Sequence, residues 1–249
     1  MTSIASTHNP RLRALRRLQT KRGRAASGQF AAEGEDLVQA AAVAGRAPVE
    51  GFRLAGSGLG GAGFHNVDEA ALASASALGS GTRVIGVYPQ QWAPAPVGPL
   101  CVYLHGVRDP GNLGTVLRSA QAFGASCVAL GPGCADPHSP KAVRASMGAI
   151  FAVALARAAS PAELPGRLIA LAADGDRPLR GELGEGADAV TLLVGSERDG
   201  LPEEILAACE VRARIPIESE SLNAAMAATV ALYEMTRRGG RGTDTVPAS

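Results

Sequence analysis

The run Leu100-Cys-Val-Tyr-Leu104 is apolar and rich in strand-forming side chains, and it is bounded by the breakers Gly106, Pro110, Gly111 and Gly114. From Leu113 onward apolar residues recur at Leu113, Val116, Leu117, Ala120 and Phe123, the spacing of one helical face, and Gly124 stands where a left-handed cap would close the helix. A buried strand therefore ends in a glycine-rich turn that opens an amphipathic helix. The turn carries an amide, Asn112, and the helix carries a guanidinium, Arg118, off its apolar stripe. Freed amides and the dipole at such a helix start favour anions, so a phosphate or a developing oxyanion would be held there. Taken alone, the segment fits equally well a helix capped by Asn112 with Arg118 as a solvated charge.

Composition bounds the function classes. At 249 residues with 46% hydrophobic content, the chain has enough apolar material for one large or two ordinary cores. It shows no apolar run long enough to span a bilayer and no signal-peptide core near its start, so a cytoplasmic, non-membrane protein is expected. The cysteines Cys101, Cys127, Cys134 and Cys209 form no Cys-x-x-Cys pair, which points to reduced thiols. The histidines His8, His65, His105 and His138 lack ligand spacing, and no metal is expected.

The net charge of +1 conceals an asymmetry. Arg11, Arg13, Arg16, Arg17, Lys21, Arg22 and Arg24 precede the first carboxylate, Glu33. The remainder holds 17 basic residues (24 less these 7) against 23 acidic ones, a net of −6. Such a basic arm is suited to a polyanion, RNA above all, although a solvated basic helix has the same composition.

Residues 33–90 read as a small α/β unit, with helices expected over 36–44 and 68–78 and strands over 51–55 and 82–88. The proline-rich stretch 91–98 reads as a linker. Beyond it, apolar runs at 100–104, 127–131, 151–156, 168–172, 190–194 and 211–217 alternate with helical patterns near 113–123, 140–148, 202–209 and 221–237. This alternation predicts a mostly parallel sheet with helices on both faces. Gly56-Ser-Gly58-Leu-Gly-Gly61 matches the dinucleotide-binding fingerprint in form, but no helix follows directly and no acidic residue stands at the end of a second strand, so it is read as a loop.

Two further clusters follow strands. Gly195-Ser-Glu197-Arg-Asp-Gly200-Leu201 comes after the run 190–194, and Glu218-Ser-Glu-Ser221-Leu222-Asn223 after the run 211–217. Open α/β sheets bind ligands beyond the carboxyl ends of their strands, the edge that all three clusters share. Singly, Ser221 reads as a helix N-cap and Glu197 as a loop carboxylate.

Together the clusters resemble the three signature motifs of the SpoU (TrmH-like) RNA ribose 2′-O-methyltransferases, a branch of the knotted SPOUT superfamily. Asp109–Gly124 is similar to the first motif, Gly195–Leu201 to the second, and Ile215-Pro-Ile217 with Ser221-Leu-Asn223 to the third. Lys141-Ala-Val-Arg144-Ala-Ser146-Met-Gly148 is similar to the helix between motifs one and two. The resemblance implies a knotted SPOUT-type methyltransferase domain over 99–249, a small α/β RNA substrate-binding domain with its basic helix over 1–90, and homodimers. It implies a pocket for S-adenosylmethionine at Gly195, Gly200, Leu201, Ile215 and Leu222. Asn112, Arg118, Glu197, Ser221 and Asn223 are the implied catalytic residues. The basic arm with Lys141 and Arg144 is the implied contact to rRNA or tRNA. A guanidinium ordinarily gives up its proton only far above neutral pH, so Arg118 is expected mainly to orient a phosphate and stabilise an alkoxide, and a role as base would need a strongly perturbed environment. A non-catalytic RNA-binding protein of the same fold and a nucleotide-dependent oxidoreductase are the rival classes.

Overall fold

The chain starts its first helix where its side chains supply a cap. Asn9 accepts the Arg11 N–H at 2.9 Å and Pro10 occupies the first helical position, giving α1 (Pro10–Arg17). Thr20 then accepts the Gly23 N–H at 3.1 Å to open α2 (Lys21–Ser27), which Gly28 ends in a left-handed conformation. The basic stretch is therefore two short helices and not one. The computed structural model describes residues 3–61, 63–78, 81–218 and 222–237. They form two compact units, one from residues up to Trp92 with Arg108–Arg118 and Ala135–Ala154, the other from Ala93–Val107, Ser119–Cys134 and the chain from Leu155 onward.

In the first unit, β1 (Gln29–Glu33), α3 (Glu35–Val43), β2 (Glu50–Leu54), β3 (Phe64–Val67), α4 (Glu69–Ala73) and β4 (Val84–Pro89) give a four-stranded sheet in the order β1-β4-β2-β3. Only the pair β2–β3 is parallel. Leu12, Leu15 and Leu18 pack with Phe52, Leu72 and Ile85 in a buried cluster. The helix expected over 68–78 stops at Ala73. The reason is Glu33, a nearly buried carboxylate that accepts the Ser76 hydroxyl at 2.7 Å and the Ala77 N–H at 2.8 Å, which pulls these residues out of helical geometry. Strand β3 was not evident in the sequence; its Phe64 ring lies over Gly51 of β2, where a side chain would collide with it at 2.4 Å. Gly56, Gly58, Gly60 and Gly61 all take positive φ, and β3 rather than a helix follows them, so the fingerprint-like segment is a loop.

The chain continues through β5 (Leu100–Leu104), α5 (Pro110–Ala122), β6 (Cys127–Leu130), α6 (Pro140–Ala145), α7 (Ala149–Ala152), β7 (Ala154–Arg157), β8 (Arg167–Leu171), β9 (Arg177–Pro178), β10 (Val190–Val194), α8 (Glu203–Ala207), β11 (Val211–Arg214) and α9 (Ala224–Arg237). A seven-stranded sheet in the order β7-β6-β5-β10-β8-β11-β9 results, with β5–β6, β5–β10, β10–β8, β8–β11 and β11–β9 all parallel. Helices flank it, and α9 packs on β10. Every residue of β10 is buried, as befits a strand covered on both faces. Strand 151–156 begins later than expected, because Gly148 at φ +94° leads into a helical turn that buries Ile150 and Phe151. Strand 211–217 ends at Arg214, ahead of Pro216, which has no N–H for a ladder.

Arg24 departs from its expected place on an RNA-binding surface. It is buried: Nε and Nη2 donate to Asp136 Oδ2 at 2.9 and 2.7 Å, and Nη1 donates to the Leu18 carbonyl at 2.7 Å. Asp136 Oδ1 accepts the backbone N–H of His138, whose ring packs on Phe30 and Trp92. This pair ties α2 to the loop that precedes α6. Removing one partner of a buried ion pair strands the other, so Asp136→Ala is expected to cost about 3–5 kcal/mol. Urea denaturation checks this; a loss under 1 kcal/mol would show that the guanidinium is rehydrated.

Candidate active site

Strands β10, β8 and β11 are neighbours and run parallel, so their carboxyl ends open at one edge. The loops that leave them enclose a cavity of about 690 Å³ within the second unit. Gly195, Glu197, Gly200 and Leu201 line it from the loop after β10, and Ile215, Pro216 and Ile217 from the segment after β11. Leu222 closes it ahead of α9. All five residues expected to hold a cofactor, Gly195, Gly200, Leu201, Ile215 and Leu222, are thus brought together, with Glu197 beside them. Missed in the sequence was the third wall, Leu171–Asp174 at the end of β8, although its apolar run was evident and the carboxyl-edge rule applied to it equally.

The loop after β10 is closed by its own backbone. Ser196 and Gly200 exchange N–H to carbonyl bonds at 3.2 and 3.1 Å, and the Ser196 hydroxyl accepts the Asp199 N–H at 3.0 Å. Gly200 turns the chain at φ +64°. Gly195 has to be glycine, since a Cβ there would lie 2.1 Å from the Gly200 carbonyl carbon and 2.5 Å from the Leu201 nitrogen. The segment Ile215–Ile217 is held from beneath, where the Arg214 carbonyl accepts the Leu179 N–H at 2.7 Å and its guanidinium donates to the Gly175 carbonyl at 2.9 Å. The charged lining consists of Asp174, Glu197 and Asp199 against Arg198 and Arg214. Apolar walls, backbone polar groups and an excess of carboxylates suit an amphipathic ligand with positive charge.

Asn223 is the cap of α9. Its side-chain oxygen accepts the Ala225 N–H at 2.9 Å, the part assigned from sequence to Ser221. Ser221 itself lies outside the described residues. In the first unit the start of α5 is capped by Asp109 rather than Asn112: Asp109 Oδ1 accepts the Asn112 N–H at 2.9 Å and Oδ2 accepts Lys141 Nζ of α6 at 2.6 Å. Asn112 is half-buried in the first turn and Arg118 is exposed two turns along. Gly114 lets α6 approach, because a Cβ there would meet the Ala142 carbonyl at 2.4 Å and Ala145 Cβ at 2.7 Å. Arg144 is half-buried on α6. Among the described residues no group of three or more His, Cys, Asp or Glu is placed to hold a metal ion, and no helix is long and apolar enough to cross a membrane.

A parallel sheet with a ligand-sized crevice at its carboxyl edge, walled by closed glycine loops, defines an α/β protein that binds a small molecule there. The SpoU rRNA Methylase family model matches residues 99–233, and the chain belongs to that family. Over 150 residues it is 42% identical to an uncharacterized tRNA/rRNA methyltransferase of Mycobacterium tuberculosis, a match covering 55% of this chain and 51% of that one, so the chain spans about half the length of that relative. It is 27% identical to the Bacillus subtilis 23S rRNA (guanosine(2553)-2′-O)-methyltransferase RlmP over 94% of this chain and 99% of the relative. The crystal structure of an AdoMet-bound rRNA methyltransferase from Sinorhizobium meliloti superposes with a TM-score of 0.81 at 31% identity, over 95% of this chain and 97% of that one.

Two outcomes follow from the geometry. Gly195→Ala forces the backbone of Gly200–Leu201 aside, and the amides of Ser196 and Gly200 are expected to exchange with solvent at least tenfold faster, read by hydrogen–deuterium exchange; unchanged rates would mean the loop absorbs the methyl group. The Lys141 ammonium, and after it the Asn112 N–H, hold the Asp109 carboxyl below the ordinary carboxylate range. Its contribution to stability is therefore complete above the unfolded-state pKa of about 3.9 and is lost as pH falls through the lower folded value. A pH titration of the Asn112 amide resonance is expected to show a midpoint below about 3.9 that rises in Lys141→Ala; a midpoint unmoved by that substitution would contradict the pairing.

Proposed function

We propose that this protein transfers a methyl group from S-adenosylmethionine to a ribose 2′-hydroxyl of rRNA or tRNA. The observation that carries the proposal is the cavity at the β10–β8–β11 edge, which gathers Gly195–Leu201 of the second motif with Ile215–Ile217 and Leu222 of the third. Its volume falls within the roughly 300–1,000 Å³ of small-molecule sites, and its carboxylate-rich, partly apolar lining fits a sulfonium nucleoside. The names of the relatives support the same chemistry: RlmP is a 2′-O-methyltransferase, and the Sinorhizobium structure holds AdoMet.

When bound, the cofactor supplies an activated methyl group. Backbone groups of Gly195, Ile215 and Leu222 would hold it, with Gly200 and Leu201 keeping the loop in shape. Asn112 and Arg118 serve the RNA side: Asn112 orients the ribose, and Arg118 binds the neighbouring phosphate and the developing alkoxide. Glu197, Ser221 and Asn223 support these groups, Asn223 through the start of α9. The division into an RNA-binding part over 1–90, a linker over 91–98 and a knotted transferase part over 99–249 belongs to the same proposal, as does a cytoplasmic location.

RNA is gripped by exposed cations of the arm, Arg13, Arg17, Lys21 and Arg22, with Arg144 and Lys141. Arg11 is paired with Glu50, Lys141 with Asp109, and Arg16 donates to the Thr7 carbonyl at 2.8 Å, so these three contribute less; Arg24 contributes nothing directly. Four phosphate contacts from the arm give a slope of log K against log salt between about −3 and −4. The enzyme acts as a homodimer. Met226, Val230 and Tyr233 project from α9 at helical spacing and stay exposed in the single chain, an apolar stripe suited to a second copy.

Calorimetry with S-adenosylmethionine, followed by transfer of labelled methyl groups to RNA from a strain lacking this gene, tests the proposal. Saturable binding and label on ribose are expected, with Arg118→Ala lowering turnover at least about 100-fold while cofactor affinity stays within twofold. Cofactor binding without any transfer to RNA would instead identify a non-catalytic RNA-binding protein.

A further inference from the structure

Met147 is the one non-glycine residue with positive φ among the described residues, at +49°, and it is 51% exposed. Its neighbours are the opposite in character. Ser146 is fully buried with its hydroxyl donated to the Val143 carbonyl at 2.7 Å, and Gly148, at φ +94°, has no room for a Cβ because Ala40 Cβ would lie 2.4 Å away. The turn is thus clamped on both sides of a side chain that the backbone disfavours and the core does not use. A glycine at 147 would relieve the strained conformation, so packing of the turn does not account for methionine there.

The turn abuts α5. A Cβ at Gly114 would meet Ser146 N at 3.0 Å, and Gly114 and Arg118 stand one helical turn apart on the same face, with side chains of that face leaning toward the helix start. Lys141 and Arg144 precede Met147 on α6. An unbranched, polarisable apolar tip therefore stands in the turn that follows Lys141 and Arg144 of α6 and abuts α5, the helix that carries Asn112 and Arg118. Cations alone would serve phosphates; an apolar tip in addition serves the flat face of a base attached to those phosphates.

Resting on the methyltransferase reading, we propose that Met147 is a substrate-contacting residue that packs against an unstacked nucleobase of the RNA beside the methylated ribose. Contact of this kind reads bulk and apolar surface without a hydrogen bond, so it tolerates leucine but not glycine.

The test compares wild type, Met147→Leu and Met147→Gly in methyl transfer to RNA from a strain lacking the gene, together with melting temperature and sedimentation. For Met147→Gly, kcat/KM for RNA is expected to fall five- to tenfold with KM for S-adenosylmethionine within twofold, a melting temperature no lower than wild type and an unchanged oligomeric state. Met147→Leu is expected to stay within twofold of wild type throughout. Wild-type kcat/KM in Met147→Gly overturns the inference, as does a loss that appears only with subunit dissociation, which would make the side chain a protein contact. A wild-type enzyme that labels no RNA would instead overturn the methyltransferase reading, and this inference with it.

Discussion

The structure depends on the placement of β10 between β5 and β8. A strand buried along its whole length, Val190–Val194, enters the sheet between two earlier strands, β5 far back in the chain and β8 nearer to it, and pairs in parallel with both. That insertion sets the loop Gly195–Leu201 next to the loops after β8 and β11, and the cavity is the space they leave. Burial of β10 also makes the loop's position rigid, because a strand covered on both faces cannot slide by one residue without exposing or clashing every side chain. The closed backbone of the loop then presents amides and carbonyls at fixed places, which is how a site made mostly of backbone can be selective.

In the first unit a second set of constraints converges on α5. Asp109 caps the helix and holds Lys141, Gly114 admits α6 to backbone contact, and Asp136, at the loop before α6, anchors Arg24 of α2. Through these three contacts the basic arm, α6 and the start of α5 form one connected frame. Arg24, drawn out of the exposed charges of the arm, thereby serves to fix the elements that carry the remaining ones.

Much of this was legible in the sequence where a residue's role is local. The run Leu100–Leu104 with the turn and helix after it and the glycine loop at 195–201 each follow from backbone chemistry, and both appear as read. The family resemblance rested on those same segments. What sequence did not disclose was set by partners distant in the chain. Glu33 stops α4 through Ser76 and Ala77, Asp136 buries Arg24 across 112 positions, and Phe64 finds its place only over Gly51. The cap of α9 was placed at Ser221 rather than Asn223 because both are good caps and spacing alone does not choose between them. The wall Leu171–Asp174 carries no motif, and only the strand order makes it part of the site.

The proposed function places the methyl donor in the cavity at the β10–β8–β11 edge. A crystal structure of the full chain grown with S-adenosylhomocysteine tests it most directly. The nucleoside is expected within this cavity, against the backbone of Gly195, Ile215 and Leu222. A ligand bound elsewhere, with this cavity left to solvent at saturating concentration, would contradict it.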